Sequence, residues 1–154
     1  TTNVLRTGKK SLAIATLVLD LLKGYFSIAL TFIYFENLIS YSALICFVGH
    51  IFPIWLKFKG GKGVATYIGF LIGLNFLIGL YFLLTWIIVA WITRYSSLSS
   101  LVASLVAPLY FFFVNPNNFV GIFLLYLFFI ISLKHRQNVK RLINGSENKI
   151  KLSK

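Results

Sequence analysis

Three glycines and three lysines fall within the seven positions from Lys57 to Gly63, in the run Gly49-His50-Ile51-Phe52-Pro53-Ile54-Trp55-Leu56-Lys57-Phe58-Lys59-Gly60-Gly61-Lys62-Gly63-Val64-Ala65-Thr66. Glycine lets backbone N–H groups approach a ligand without side-chain hindrance. Successive amides in such a turn form an anion-binding nest. A helix starting just after the turn would add its positive end. The chemistry these residues suit is phosphate binding. The run is not a Walker A loop, which would need glycine at Leu56 and a hydroxyl residue at Gly63. A merely basic loop would explain the lysines but not the glycines beside Gly49-His50 and Pro53.

Three further groups carry polar chemistry. In Thr93-Arg94-Tyr95-Ser96-Ser97-Leu98-Ser99-Ser100, hydroxyls stand beside an arginine and suit phosphate oxygens. Ser100 equally suits a helix N-cap. In His135-Arg136-Gln137-Asn138-Val139-Lys140-Arg141-Leu142, His135 and Asn138 are three apart and share a helical face. Histidine handles protons near neutral pH, while the basic residues around it suit lipid headgroups. Asp20 and Lys23 lie within an apolar stretch, where ionisable residues are costly. At i, i+3 they form an ion pair or together meet a substrate. Cys46 is the single cysteine and reads as a small buried hydrophobe. Asn144-Gly145-Ser146 matches a glycosylation sequon, inert on a cytoplasmic tail.

These groups must be held by membrane helices. The 154 residues are 58% hydrophobic and 12% charged, against about 25% charged in a soluble domain. Ser11–Phe35 is apolar but for Asp20 and Lys23, and Leu38–Leu56, Gly63–Thr93 and Tyr95–Leu133 carry no charge. The last two stretches exceed one crossing of a core about 30 Å thick. Asn75 with Gly79 breaks one, and Val114-Asn115-Pro116-Asn117-Asn118 the other. Six segments follow, near 11–34, 38–56, 64–77, 79–93, 99–114 and 118–134. Arg6, Lys9 and Lys10, then Lys57, Lys59 and Lys62, then Arg94, then every basic residue from Lys134 onward fall on one side. Only Lys23 is left within a span. The formal net charge of +12 is thus positive-inside asymmetry rather than nucleic-acid binding. The expected fold class is all-α: a polytopic transmembrane helix bundle of about six spans, both ends cytoplasmic. Gly69-x-x-x-Gly73 suits a close helix–helix contact. No internal repeat supports an inverted-repeat transporter.

Taken together these residues resemble the bacterial acyl-phosphate:glycerol-3-phosphate acyltransferase (PlsY) family. The central match is Gly49-His50-x-Phe52-Pro53 with Phe58-Lys59-Gly60-Gly61-Lys62-Gly63-Val64-Ala65-Thr66. Thr2-Asn3-x-x-Arg6, Asp20-x-x-Lys23-Gly24, the Arg94–Ser100 turn and His135-x-x-Asn138-x-x-Arg141-Leu142-x-x-Gly145-x-Glu147 accompany it in the family's order. The resemblance implies transfer of a fatty acyl group from acyl-phosphate to the sn-1 hydroxyl of glycerol-3-phosphate, giving lysophosphatidic acid for phospholipid synthesis. It implies no metal and no cofactor, membrane lipid rather than nucleic acid as surroundings, and acyl-phosphate supplied by a separate acyl-carrier-protein:phosphate acyltransferase. The expected location is the bacterial plasma (inner) membrane, multi-pass, with the active face cytoplasmic.

By the same resemblance Lys59, Lys62 and the amides of Gly60, Gly61 and Gly63 hold phosphate. Asn3, Arg6, Ser97, Ser100, Asn138 and Arg141 complete the cradle. His50, His135, Lys62 and Asn138 are the catalytic candidates, and Asp20 and Lys23 are intramembrane polar groups. A His-x-x-x-x-Asp base pair is absent, since Trp55 stands at the aspartate place after His50. The family has a further N-terminal span, seven in all. This chain, read as a single domain over 1–154, begins inside the first motif, which puts the activity of the fragment itself in question. The competing class is a small membrane transporter for an organic phosphate, against which stand the nearly unbroken apolar segments after Gly63.

Overall fold

The computed structural model describes residues 9–114 and 119–150. Asn3, Arg6 and the expected turn at 115–118 lie outside the described residues. Every regular element described is helical. By contacts the chain divides into two compact units, Thr1–Gly79 and Leu80–Lys154.

The first unit holds α1 (Lys10–Tyr34), a 3₁₀ turn (Glu36–Leu38), α2 (Ile39–Ile51), a second 3₁₀ turn (Ile54–Leu56) and α3 (Val64–Leu74). Its main contact is α3 along α1, with α2 also against α1. Missing side chains make that first contact close. A Cβ on Gly69 would fall on the Leu21 carbonyl, and one on Gly24 on the Thr66 carbonyl. A Cβ on Gly73 would lie 2.8 Å from that of Ile28. The Gly69-x-x-x-Gly73 spacing thus serves the helix packing expected of it. Ala65 through Leu71 are all buried, whereas α1 exposes Leu12, Ile14, Leu19, Phe32 and Ile33.

Asn75 ends α3 and starts α4 (Phe76–Thr93). Its backbone is extended, and its Oδ1 accepts the Leu77 N–H at 2.9 Å, capping α4. Gly79, the other expected breaker, lies inside α4.

The second unit holds the rest of α4, then α5 (Ser96–Val114), α6 (Phe119–Lys134) and α7 (Arg136–Ile143). α5 packs against α6. α5 buries small residues, Ser97, Ser99, Ser100, Ala103, Ser104, Ala107 and Pro108, and α6 buries Gly121, Leu124, Leu127 and Ile131. α7 turns off α6 by 63°. It ends in a Schellman motif: the Gly145 N–H reaches the Leu142 carbonyl and the Ser146 N–H the Arg141 carbonyl, with Gly145 left-handed at φ 68°.

Six apolar helices therefore occur in the expected order. Among the described residues four stretches are long and apolar enough to cross a membrane: α1, Glu36–Leu56, α4 and α5. The bent α6–α7 pair makes a fifth if it counts as one broken span. α3 has 11 residues, a rise of about 16 Å, and is too short to cross alone. The expected segment at 64–77 ran past Asn75, whose extended backbone stops the helix.

Candidate functional site

Polar side chains gather at one end of the helices in each unit. In the first, Lys23 Nζ lies 2.6 Å from Asp20 Oδ1 and 2.6 Å from His50 Nδ1. The His50 Nδ1–Asp20 Oδ1 distance is 3.3 Å. One helical turn separates Asp20 from Lys23, and α2 delivers His50 from its last turn. The structure thus forms the ion pair expected of Asp20 and Lys23 and adds the histidine.

The loop after His50 folds back on the end of α2. The Phe58 N–H donates to Pro53 O, Lys59 N–H to Leu56 O, Gly60 N–H to Ile51 O and Gly61 N–H to His50 O. The last carbonyls of a helix need such partners, and the loop amides supply them. The Gly60 and Gly61 amides donate within the chain, and the two glycines shape the turn. A Cβ at Gly60 would strike the His50 carbonyl, and one at Gly61 the His50 ring. Gly63 caps α3 in the left-handed region at φ 86°, and its Cβ would lie 2.5 Å from the Phe47 ring. Positive charge on the loop comes from Lys57, Lys59 and Lys62 and from the N-terminal end of α3. Lys57 and Lys59 are exposed, and Lys62 is half-buried.

In the second unit the organising group is Glu147. Its Oε1 accepts Ser97 Oγ–H at 2.7 Å and Asn138 Nδ2–H at 2.6 Å, and its Oε2 accepts Arg141 Nε–H at 2.6 Å. The Glu147 side chain is 8% exposed. Burial pushes its carboxyl up, but the hydrogen bonds from Asn138, Ser97 and Arg141 and the Arg141 charge outweigh this and hold it below the ordinary glutamate range. Three residues expected to cradle phosphate are thus brought together on a carboxylate that is not among the residues expected in the site. One signal pointed to it: Glu147 is the sole acidic residue after Glu36, set in a basic tail.

The segment carrying Glu147 is tied down. Ile150 N–H donates to Arg94 O at 2.7 Å, and Arg94 Nε and Nη2 donate to Ile150 O at 3.3 and 3.1 Å. Lys149 Nζ stands 5.7 Å from the Tyr95 ring centroid. Arg94, read as a phosphate partner, here clasps main chain.

His135 is 2% exposed at the α6–α7 joint, with Nδ1 2.8 Å from Ile131 O. That contact needs the proton on Nδ1. Ser100 lies inside α5 rather than at its N-cap. Its hydroxyl donates to Ser96 O and accepts from Trp86 Nε1, so it stands apart from the Glu147 cluster.

Clustered cations and amide and hydroxyl donors at the ends of lipid-length helices are what an enzyme needs to handle a phosphorylated, lipid-linked substrate at a membrane face. Known proteins match this arrangement in sequence and in fold. A family model described as glycerol-3-phosphate acyltransferase matches residues 1–145. The glycerol-3-phosphate acyltransferase of Brucella canis is 48% identical over 149 residues, covering 97% of this chain and 74% of that protein. That of Pelagibacter ubique is 47% identical over 151 residues, covering 98% of this chain and 78% of that protein. The crystal structure of PlsY (YgiH), an integral membrane glycerol 3-phosphate acyltransferase, in its glycerol 3-phosphate form, matches with a TM-score of 0.89 at 29% identity, over 97% of this chain and 76% of that one. By family model, relatives and fold alike, the chain belongs to the glycerol-3-phosphate acyltransferase family and is a multi-pass integral-membrane acyltransferase.

Proposed function

We propose that the protein transfers a fatty acyl group from acyl-phosphate to the sn-1 hydroxyl of glycerol-3-phosphate, forming lysophosphatidic acid and releasing inorganic phosphate. The observation that carries this is the pairing of a three-lysine loop at the start of α3 with helices long enough to meet a lipid tail. Both substrates present phosphate and one presents an acyl chain. PlsY has also been solved in a lysophosphatidic acid form, with a TM-score of 0.87 to this chain, which supports the product. The hydroxyl oxygen attacks the acyl carbonyl carbon, and the bond from that carbon to the phosphate oxygen breaks.

Positioning and charge neutralisation dominate such a transfer. Lys59 and Lys62 hold phosphate from the loop. Glu147 gathers Ser97, Asn138 and Arg141, whose remaining polar valences face phosphate, and Asn3 and Arg6 add donors from the first motif. His135 is a positioning group at the α6–α7 bend, its Nδ1–H committed to main chain. Acyl-phosphate is a mixed anhydride, so a separate acyl-carrier-protein:phosphate acyltransferase supplies it. The segregation of Lys and Arg supports a cytoplasmic position, at the inner membrane, for the loop and the tail.

The test is acyl transfer by the protein in membranes, with acyl-phosphate and glycerol-3-phosphate as substrates. Lysophosphatidate should form, and Lys62→Ala should lower kcat/KM by more than about tenfold. Product from acyl-CoA but none from acyl-phosphate would show the donor assignment to be wrong.

A further inference from the structure

Lys23 is the one basic residue of the chain inside an apolar span. A lysine there needs a partner, and Asp20 on the same helix suffices. Yet Lys23 also reaches His50, 27 residues away, at 2.6 Å from Nδ1. An ammonium has three donors and no acceptor, so that contact requires a lone pair on Nδ1. The ring proton then sits on Nε2. Asp20 Oδ1 is 3.3 Å from the same Nδ1, outside the shorter Lys23 contact.

The other edge of the ring meets the loop. The atom nearest a Cβ built on Gly61 is His50 Nε2, and the next is Cε1. The His50 carbonyl accepts the Gly61 N–H at 3.3 Å, and the Ile51 carbonyl accepts the Gly60 N–H at 3.2 Å. The Gly60-Gly61 turn therefore rests on His50 through both ring and main chain, and Lys59 and Lys62 flank that turn directly.

We propose that Asp20, Lys23 and His50 are positioning residues for the phosphate-binding loop. Asp20 orients Lys23, Lys23 fixes the tautomer and tilt of His50, and the ring sets the Gly60-Gly61 turn that carries Lys59 and Lys62. The network acts on substrate affinity rather than on the transfer step. The inference rests on the reading of this loop as the phosphate-binding element.

Steady-state acyl transfer per folded enzyme, in membranes, tests it. Lys23→Met should raise KM for glycerol-3-phosphate or acyl-phosphate about tenfold while kcat falls less than about threefold. Gly61→Ala should do the same. The double variant should be no worse than the worse single one, because both act through one ring. Asp20→Asn, which keeps an acceptor, should raise KM about threefold and serves if Lys23→Met does not fold.

Tautomers give an independent readout, since the chain has two histidines. Nitrogen-15 spectra of histidine-labelled protein should show one Nε2–H signal, lost in His50→Gln, and one Nδ1–H signal from His135. Lys23→Met should shift only the first. Unchanged KM values, an equal fall in kcat and kcat/KM, additive losses in the double variant, or an Nδ1–H tautomer at His50 would each overturn the proposal. If Lys59→Ala and Lys62→Ala leave both KM values unchanged, the loop reading itself falls, whatever Lys23 does.

Discussion

Among the described residues, Asp20 and Glu147 are the carboxylates in ion pairs, and they organise their surroundings in opposite ways. Asp20 meets a lysine one turn along its own helix, and the lysine passes the constraint to a single histidine. Glu147 lies beyond the last helix and gathers donors from α5 and from two positions of α7. The first arrangement is a relay, where each group acts on the next. The second is a hub, where one removal strands several groups together. The hub is therefore the more fragile of the two.

That difference is broken most directly by Glu147→Ala. Asn138 and Ser97 are 8% and 6% exposed, and each would lose the carboxylate oxygen to which it donates. An unsatisfied buried polar group costs about 1–3 kcal/mol, so the variant should lose about 3 kcal/mol or more. Thermal unfolding in detergent would measure the loss, and activity should fall with it. Glu147→Gln keeps an acceptor oxygen and should lose clearly less. If the two variants unfold alike, charge rather than satisfied donors holds the cluster.

Two left-handed glycines sharpen the same contrast. Gly63 has φ 86° with a Phe47 ring carbon 2.5 Å from its missing Cβ, while Gly145 has φ 68° with open space around it. The left-handed region costs a residue with a Cβ about 1–2 kcal/mol, and overpacking adds about 1–3 kcal/mol. Gly63→Ala should therefore destabilise by about 2 kcal/mol or more and Gly145→Ala by about 1 kcal/mol. Equal losses in thermal unfolding would mean that Phe47 yields freely and that the loop is looser than its packing.

pH separates the hub from the rest. The folded carboxyl of Glu147 sits below its unfolded value of about 4.3. Its stabilising contribution is thus complete above that value and disappears as pH falls through the lower folded value. The stability gap between wild type and Glu147→Gln should be constant from about pH 6 to 8 and shrink below about pH 4. A gap that widens in acid would mean that the bonds to Glu147 do not favour its ionised form.

How far each arrangement could be read from sequence follows from its range. The Asp20–Lys23 pair is local to one helix, and its spacing allows the pair as one of two readings. The Gly69-x-x-x-Gly73 contact was legible for the same reason. The loop glycines are legible in the sequence, but the main-chain bonds of Gly60 and Gly61 are not. Nothing local says that the chain folds back to bond the end of α2, because those bonds join positions up to eleven residues apart, such as Gly61 and His50. The Glu147 hub was legible only in part. Asn138 and Arg141 share a helix, but Ser97 comes from 50 residues away, a separation that no periodicity reports. Ser100 looked like a cap because the helix start was placed at 99, whereas α5 begins at Ser96.

The smallest expected effect concerns how the hub is held. Lys149 stands over Tyr95 at 5.7 Å and is itself exposed. A cation over a ring at an exposed site contributes about 0.5–1 kcal/mol. The two-way clasp between Arg94 and Ile150 uses main chain on one side or both and survives loss of the lysine. Lys149→Ala should then cost no more than about 1 kcal/mol and leave activity within about twofold. Arg94→Ala removes the side-chain half of the clasp and should cost more. Were Lys149→Ala the worse of the two, the segment bearing Glu147 would be held by its surface cation, and the hub would be as serial as the relay around Asp20.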